Sequence, residues 1–240
     1  NVPGWREVDM GRALEEVFQA PVFLDNDANM AAIGERWRGV ARGIDNFVFI
    51  ALGTGIGAGL FVDGRICRGR NGFAGELFRM NLEWARWNEE FPDTGYLEAY
   101  VAGRGLAAEG REVVVRGNGA QASTLAEKRD ARYLFDALHR GDAGARALVE
   151  KSFTMLGVGV ANVVSVLDPE LIVFNGGIVR GAPELLLETV GRVVGRIHPK
   201  PPRIELSTLG DKAQIWGALY TLLDPARQTA IRAVRKSLAT

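Results

Sequence analysis

Cysteine occurs once, at Cys67, in a chain of 240 residues. An intrachain disulfide is therefore excluded, and so is a zinc site built from cysteines alone. A reduced, cytoplasmic setting is expected. Net charge is missing as well: 29 basic and 29 acidic residues cancel. The sequence thus lacks the basic footprint of a nucleic-acid-binding surface. The longest apolar stretch, Phe47 to Val62, carries four glycines and ends at Asp63-Gly64. A membrane helix needs about 20 unbroken apolar residues, so no membrane partner is expected. Asn1-Val-Pro-Gly-Trp5 has neither the basic start nor the apolar run of a signal peptide. It also lacks an initiator Met, so the chain reads as a fragment. What is present is an ordinary globular composition, 47% apolar and 24% charged. That excludes disorder as the main state. A chain of this length buries roughly 70–75% of its unfolded surface, enough for a large core in one or two domains.

The hydrophobic pattern alternates between strand and helix. Helical spacing runs from Asp9 to Ala20, and Val22-Phe23-Leu24 reads as a short buried strand after Pro21. A capped helix follows to Arg38, closed by Gly39. Phe47–Leu52 and Ala58–Val62 are β-rich runs joined by the turn Gly53–Gly57, and Asp63-Gly64 starts a hairpin into Arg65–Cys67. Asn71 to Thr94 is irregular. Helices are expected over Leu97–Glu109, Leu125–Leu138, Ala143–Val166, Pro183–Arg196, Lys212–Leu223 and Ala226–Leu238. Leu171–Phe174 and Arg203–Ser207 are expected strands. Such alternation means an α/β protein of three layers.

Four motifs have chemical potential. Asp25-Asn26-Asp27-Ala28-Asn29 sits between a strand-like run and a helix. These residues are good N-caps, and a helix start at the carboxyl end of a strand also faces the crevice where α/β sheets bind ligands. Both roles are compatible, with Asp25 capping and Asp27 acting on a proton. Gly53, Gly55, Gly57 and Gly59 alternate after a strand. They form either a tight β-turn or a backbone cradle for phosphate oxygens. No Gly-Lys-Ser/Thr follows, and the glycines run into a strand rather than a helix, so neither a Walker A loop nor a dinucleotide fingerprint is present. Leu171-Ile-Val-Phe-Asn-Gly176-Gly177 ends another strand in a double glycine, either ordinary turn chemistry or flat backbone to lie under the adenosine of a nucleotide. Glu76, in Gly72-Phe-Ala-Gly-Glu76, and Glu98 flank the irregular stretch. They are either solvated acids or acceptors for the hydroxyls of a sugar.

Together and in order, these motifs resemble those of the ROK family, which holds bacterial sugar kinases and sugar-responsive repressors. The resemblance runs from Pro3-Gly-Trp5 to Trp216-Gly-Ala218. It implies the actin/hexokinase-like (ribonuclease H-like) fold, with residues 1–240 forming mostly its C-terminal lobe. It implies Asp27 as general base, Asn26, Glu76 and Glu98 as sugar-binding residues, Gly53, Thr54 and Gly55 around ATP phosphates, and Gly176 and Gly177 beside the adenosine. Mg²⁺ travels with the ATP, and a homodimer is expected.

Two departures from the family pattern stand out. The resemblance places a zinc-binding His at Arg79 and zinc-binding cysteines at Glu89, Phe91 and Tyr96. With all four replaced, no zinc is expected. Packing by Leu82, Trp84, Trp87, Phe91 and Tyr96 is expected to hold the loop instead. Arg79 brings a permanent cation to the sugar side, which suits an anionic ligand such as a sugar phosphate or sugar acid. The family's N-terminal phosphate loop, Asp-x-Gly-Gly-Thr, is not in these residues. Three function readings follow: an ATP-dependent sugar kinase, the sugar-sensing effector region of a repressor without kinase activity, or a non-catalytic scaffold or dimerisation module.

Overall fold

The computed structural model describes residues 8–91, 95–118 and 131–223, the side chains of 112–118 excepted. The expected helix Ala226–Leu238, the first part of Leu125–Leu138 and the end of the irregular stretch lie outside the described residues.

Helices α1 (Met10–Phe18) and α2 (Asp27–Arg38) precede strands β1 (Phe47–Leu52), β2 (Ile56–Val62) and β3 (Arg65–Cys67). Then come α3 (Tyr96–Val101), α4 (Gly103–Asn118), α5 (Arg132–His139) and α6 (Ala143–Leu167). Strand β4 (Leu171–Asn175), α7 (Gly177–Gly181), α8 (Pro183–Ile197), β5 (Arg203–Leu206) and α9 (213–223) complete the order. The sheet order is β3-β2-β1-β4-β5. Pairing is antiparallel on the β2 and β3 side and parallel between β1, β4 and β5.

Side chains alternate across a strand, and β1 and β4 use both faces. Val48, Ile50, Leu52, Ile172 and Phe174 join one core with residues of α3 to α8. Phe47, Phe49, Leu171 and Val173 join a second core with Ala31, Ala32 and Ile33 of α2 and Ala213 of α9. Helices therefore cover both faces, and the three-layer arrangement stands. Phe47, Phe49, Phe153 and Phe174 are fully buried, each contributing about 1.5–3 kcal/mol from apolar transfer.

The long helix α6 starts at Asp142, whose carboxylate accepts from the Ala145 N–H at 2.8 Å, and ends at Asp168 in left-handed backbone before Pro169. By length and composition α6, expected from the sequence as the helix Ala143–Val166, is apolar enough to cross a membrane. More than half of its most apolar stretch is buried within the fold, as in a core helix.

Helices α2 and α9 cross on glycine. A Cβ on Gly34 would lie 2.1 Å from the Ala213 carbonyl oxygen, and one on Gly217 only 1.7 Å from that of Met30. Trp37 packs edge-on against Trp216 beside this crossing.

Three expectations need correction. Val22–Leu24 is not a strand: no described strand pairs with it, and Phe23 and Leu24 are 62% and 59% exposed. Without a ladder neighbour its backbone groups turn elsewhere, the Val22 N–H to Glu15 Oε1 at 3.2 Å. The expected helix Leu97–Glu109 is broken at Ala102, whose backbone is extended. The break lets the Gly103 and Arg104 N–H groups donate to the Gly53 and Thr54 carbonyls at 2.8 and 3.3 Å. Finally, Asn26 rather than Asp25 caps α2, with Oδ1 accepting from the Ala28 and Asn29 N–H groups at 2.9 and 3.4 Å.

Glu35 of α2 is 0% exposed. Its carboxylate accepts from the Ser207 hydroxyl and, at 3.0 Å, from the Val40 N–H. Burial pushes its pKa up, and these hydrogen bonds only partly oppose the shift. The folded state then holds the proton more tightly than the unfolded state. Stability conferred by the neutral form is lost as pH rises from the ordinary carboxylate range through the higher folded value. Denaturant titrations of Glu35→Gln at several pH values are expected to lack that component of the decline.

Candidate functional site

Parallel pairing of β1 and β4 places Ala51 opposite Asn175. The glycine turn after β1 and the double glycine after β4 therefore leave the sheet side by side, at carboxyl strand ends where α/β proteins bind ligands. Gly176 has φ of +120°, and a Cβ there would lie 2.2 Å from the Leu52 carbonyl oxygen. Only glycine lets β4 leave so close to β1. Asn175 fixes this exit, donating from Nδ2 to the Gly210 carbonyl and accepting from the Gly176 N–H, both at 2.8 Å.

Two clefts meet at this edge and share Gly53 and Thr54 as a common wall. The first, about 630 Å³, is lined by Asn26, Asp27, Gly55, Glu76, Phe78, Arg79, Phe91 and Glu98 as well as the shared pair. Every residue expected to bind sugar, and the expected base, faces this one space. Asp27 is exposed at the first turn of α2. Capping occupies the Asn26 carbonyl oxygen, leaving its amide nitrogen as a donor. Glu98 accepts from the Ile56 N–H at 2.9 Å, and a Cβ on Gly55 would lie 2.5 Å from its Oε2. The glycine at 55 thus admits Glu98 against the turn.

The second cleft, about 520 Å³, adds Gly103, Arg104, Arg132, Phe135, Gly177 and Arg180 to the shared pair. Nothing lies within 4 Å of a Cβ built on Gly53 or Gly177, so their backbones open onto space. Gly176 stands behind Gly177, against Leu52, and is not in this lining. Bare glycine backbone beside three guanidinium groups is chemistry that suits a polyanion. The sequence reading missed Arg104, Arg132 and Arg180: they come from three separate helices or their edges and belong to no motif.

The irregular stretch is held partly as expected: Leu82 packs on the core, Tyr96 is buried, and Phe91 meets its ring edge-on at 5.5 Å. Trp84 and Trp87 are 87% and 78% exposed, so neither packs the loop. Arg86 organises it. Its guanidinium bonds to Glu89 and to the Tyr100 hydroxyl, and lies 5.5–5.9 Å from the ring centres of Phe91, Tyr96 and Tyr100. Those bonds raise the Arg86 pKa further, the one to Glu89 most, and the same bond lowers that of Glu89. The Tyr96 hydroxyl donates to Glu83 at 3.0 Å. Leu82, Phe78 and Met80 pack on the core, so a large polar residue and three smaller apolar ones do what the tryptophans do not.

Arg79, Glu89, Phe91 and Tyr96 do not fit a zinc ion. Arg79 is a cation with its guanidinium 4.8 Å from the Phe78 ring centre, and Glu89 is engaged by Arg86. Among the described residues no group of three His, Cys, Asp or Glu side chains is placed to hold a metal.

Residues 1–224 match the profile of the ROK family. This chain belongs to that family. The ROK chain is 32% identical over 229 residues to a glucokinase of Halalkalibacterium halodurans, covering 89% of this chain and 67% of that protein. It is 30% identical over 226 residues to a putative xylose repressor of a Caldicellulosiruptor species, covering 91% of this chain and 56% of the repressor. The crystal structure of a ROK family glucokinase from Streptomyces griseus, in complex with glucose and AMPPNP, matches with a TM-score of 0.73 at 26% identity, over 90% of this chain and 72% of that one. Its fold is thus that of the ROK kinases. The ROK chain spans between about half and two thirds of the length of these two curated relatives.

Metal analysis of the purified ROK chain is expected to find well under one zinc per chain. A chelator should leave its melting temperature unchanged, while Arg86→Ala should lower it. One tightly held zinc per chain would contradict this account of the loop.

Proposed function

We propose that the ROK chain is the C-terminal, sugar- and nucleotide-binding part of an ATP-dependent sugar kinase. One observation carries the reading: the acid-rich cleft and the arginine-rich cleft share the Gly53-Thr54 wall. A donor phosphate on one side and a polyol hydroxyl on the other would meet at that wall. The relatives named as glucokinases, one of them crystallised with glucose and AMPPNP, support it.

The residues divide the work. Asn26, Glu76 and Glu98 hold sugar hydroxyls. Gly53, Thr54 and Gly55 receive the phosphates, with Gly177, backed by Gly176, beside the adenosine. Arg104 adds positive charge, Arg180 is shared with Asp211 at 2.9 Å, and Mg²⁺ would enter with the nucleotide. A sugar hydroxyl attacks the γ-phosphorus, its proton passes to the Asp27 carboxylate, and the bond from phosphorus to the ADP oxygen breaks. Such transfer requires positioning and charge neutralisation more than covalent work by the protein. Arg79 lines the sugar cleft and pairs with no carboxylate among the described residues. It favours an acceptor that carries its own negative charge.

A second reading has specific support in the xylose repressors among the relatives. Here the same clefts bind sugar without transferring phosphate.

A coupled ADP-release assay on the full-length protein, over neutral hexoses, sugar phosphates and sugar acids, decides between the two. Turnover is expected, with Asp27→Asn lowering kcat by about 10²–10⁴-fold, the usual contribution of a general base. Sugar binding by that variant, followed calorimetrically, should change little. Arg79→Gln should weaken charged acceptors more than neutral ones. Sugar binding with no turnover would favour the repressor reading, and unchanged turnover in Asp27→Asn would remove Asp27 as base.

A further inference from the structure

Asp25 is neither a cap nor a lining residue of either cleft, yet its carboxylate is saturated. Oδ1 accepts from the Asn26 N–H at 2.8 Å and from Asn29 Nδ2 at 2.9 Å. Oδ2 accepts from both Nε and Nη2 of Arg68, at 2.9 and 2.6 Å. Burial raises the Asp25 pKa, but the bonds from Asn29, Arg68 and Asn26 outweigh it and leave the value lowered. Two of its bonds thus tie Asn26 and Asn29, on either side of Asp27.

Arg68 is anchored twice. Its side chain forks onto Asp25, and its carbonyl accepts from the Ala74 N–H at 3.2 Å. That second bond closes the loop 68–74, which delivers Gly75 and Glu76. Gly75 has φ of +90°, and a Cβ there would lie 2.3 Å from the Ala58 carbonyl oxygen. The loop is therefore pinned at β2 on one end and at Asp25 on the other. Asp27 and Glu76 face one cleft but stand 49 residues apart in sequence. Arg68 is the residue that bonds to both of the segments bearing them.

We propose that Asp25 and Arg68 form a clamp that positions Asp27 and couples it to the Glu76 loop. They are positioning residues and touch no reactant. The inference rests on the kinase reading for its catalytic consequence, but its mechanical part is independent of that reading. Two guanidinium donors converging on one carboxylate oxygen restrict direction as well as distance, and misplacing a reacting group by about 1 Å costs on the order of a hundredfold in rate.

The test has two arms. In hydrogen–deuterium exchange on the full chain, Asp25→Asn should raise exchange severalfold in residues 69–76, which are remote from it in sequence. Arg68→Ala should reciprocally raise exchange at 26–29, and α6 should stay protected in both as the control for folding. Wild-type exchange in both segments would overturn the clamp whether or not the protein turns over. In the kinetic arm, Arg68→Ala should lower kcat by about 10–100-fold with the KM for ATP nearly unchanged, as expected for misplacement alone. Arg68→Lys should recover little, because an ammonium group cannot fork, and methylguanidinium should partly rescue Arg68→Ala. Undiminished kcat in folded Arg68→Ala would overturn the positioning role. Wild-type protein that binds sugar and AMPPNP without turnover would remove the kinase reading and the catalytic role with it, leaving exchange to decide the coupling.

Discussion

The parallel pairing of β1 with β4 is the constraint on which the rest depends. Both strands are buried on both faces, so a register slip of one residue would exchange the two cores and is strongly disfavoured. The register that results stops both strands at one level, and each stops in glycine. Gly176 accepts a backbone approach that no other residue tolerates, and Gly53 leaves its own backbone bare. The site is therefore a consequence of the core: apolar side chains below the edge decide where bare amides stand above it.

Around that edge the chain largely separates charge by sign, with Arg79 the cation on the acidic side. Carboxylates of α2, α3 and the loop after β3 gather on one side of the Gly53-Thr54 wall, and guanidinium groups at the starts of α4 and α5 and in the last turn of α7 gather on the other. With equal numbers of acids and bases overall, this polarity is invisible in the net charge. Helices α3 and α4 help to create it. Their break at Ala102 turns two N–H groups onto the glycine turn while Glu98, one turn earlier, holds the opposite end of that turn.

Much of this was legible in the sequence, for definite reasons. Continuous runs of β-branched and aromatic residues such as Phe47–Leu52, and the Asp63-Gly64 hairpin, report local physics, and they appear with boundaries within a residue or two. The ordered motifs bearing Asp27, Gly53–Gly55, Glu76 and Glu98 were legible as a set, and the fold brings them to one cleft. What escaped was non-local. Val22–Leu24 has strand composition but no strand beside it, and composition does not supply a neighbour. Trp84 and Trp87 have the bulk to pack a loop, yet a single arginine among acids and rings does that work. Asp25 and Asn26 are equally good caps by type. Arg68, 43 residues away, takes the carboxylate of the first and leaves the cap to the second. The three cleft arginines share no spacing, so no pattern announces them.

The glycine crossing of α2 and α9 has a consequence for how this layer tolerates inherited change. With carbonyl oxygens where the β-carbons of Gly34 and Gly217 would stand, and the Glu35 carboxylate occupying that place at Gly39, even the smallest enlargement meets backbone or a buried acid. Lineages carrying this architecture are free to vary the outward sides of both helices, but they must inherit the inner seam almost unaltered. Because the same α2 begins at Asn26 and Asp27, that inflexible seam also holds steady the one helix end on which the proposed chemistry stands.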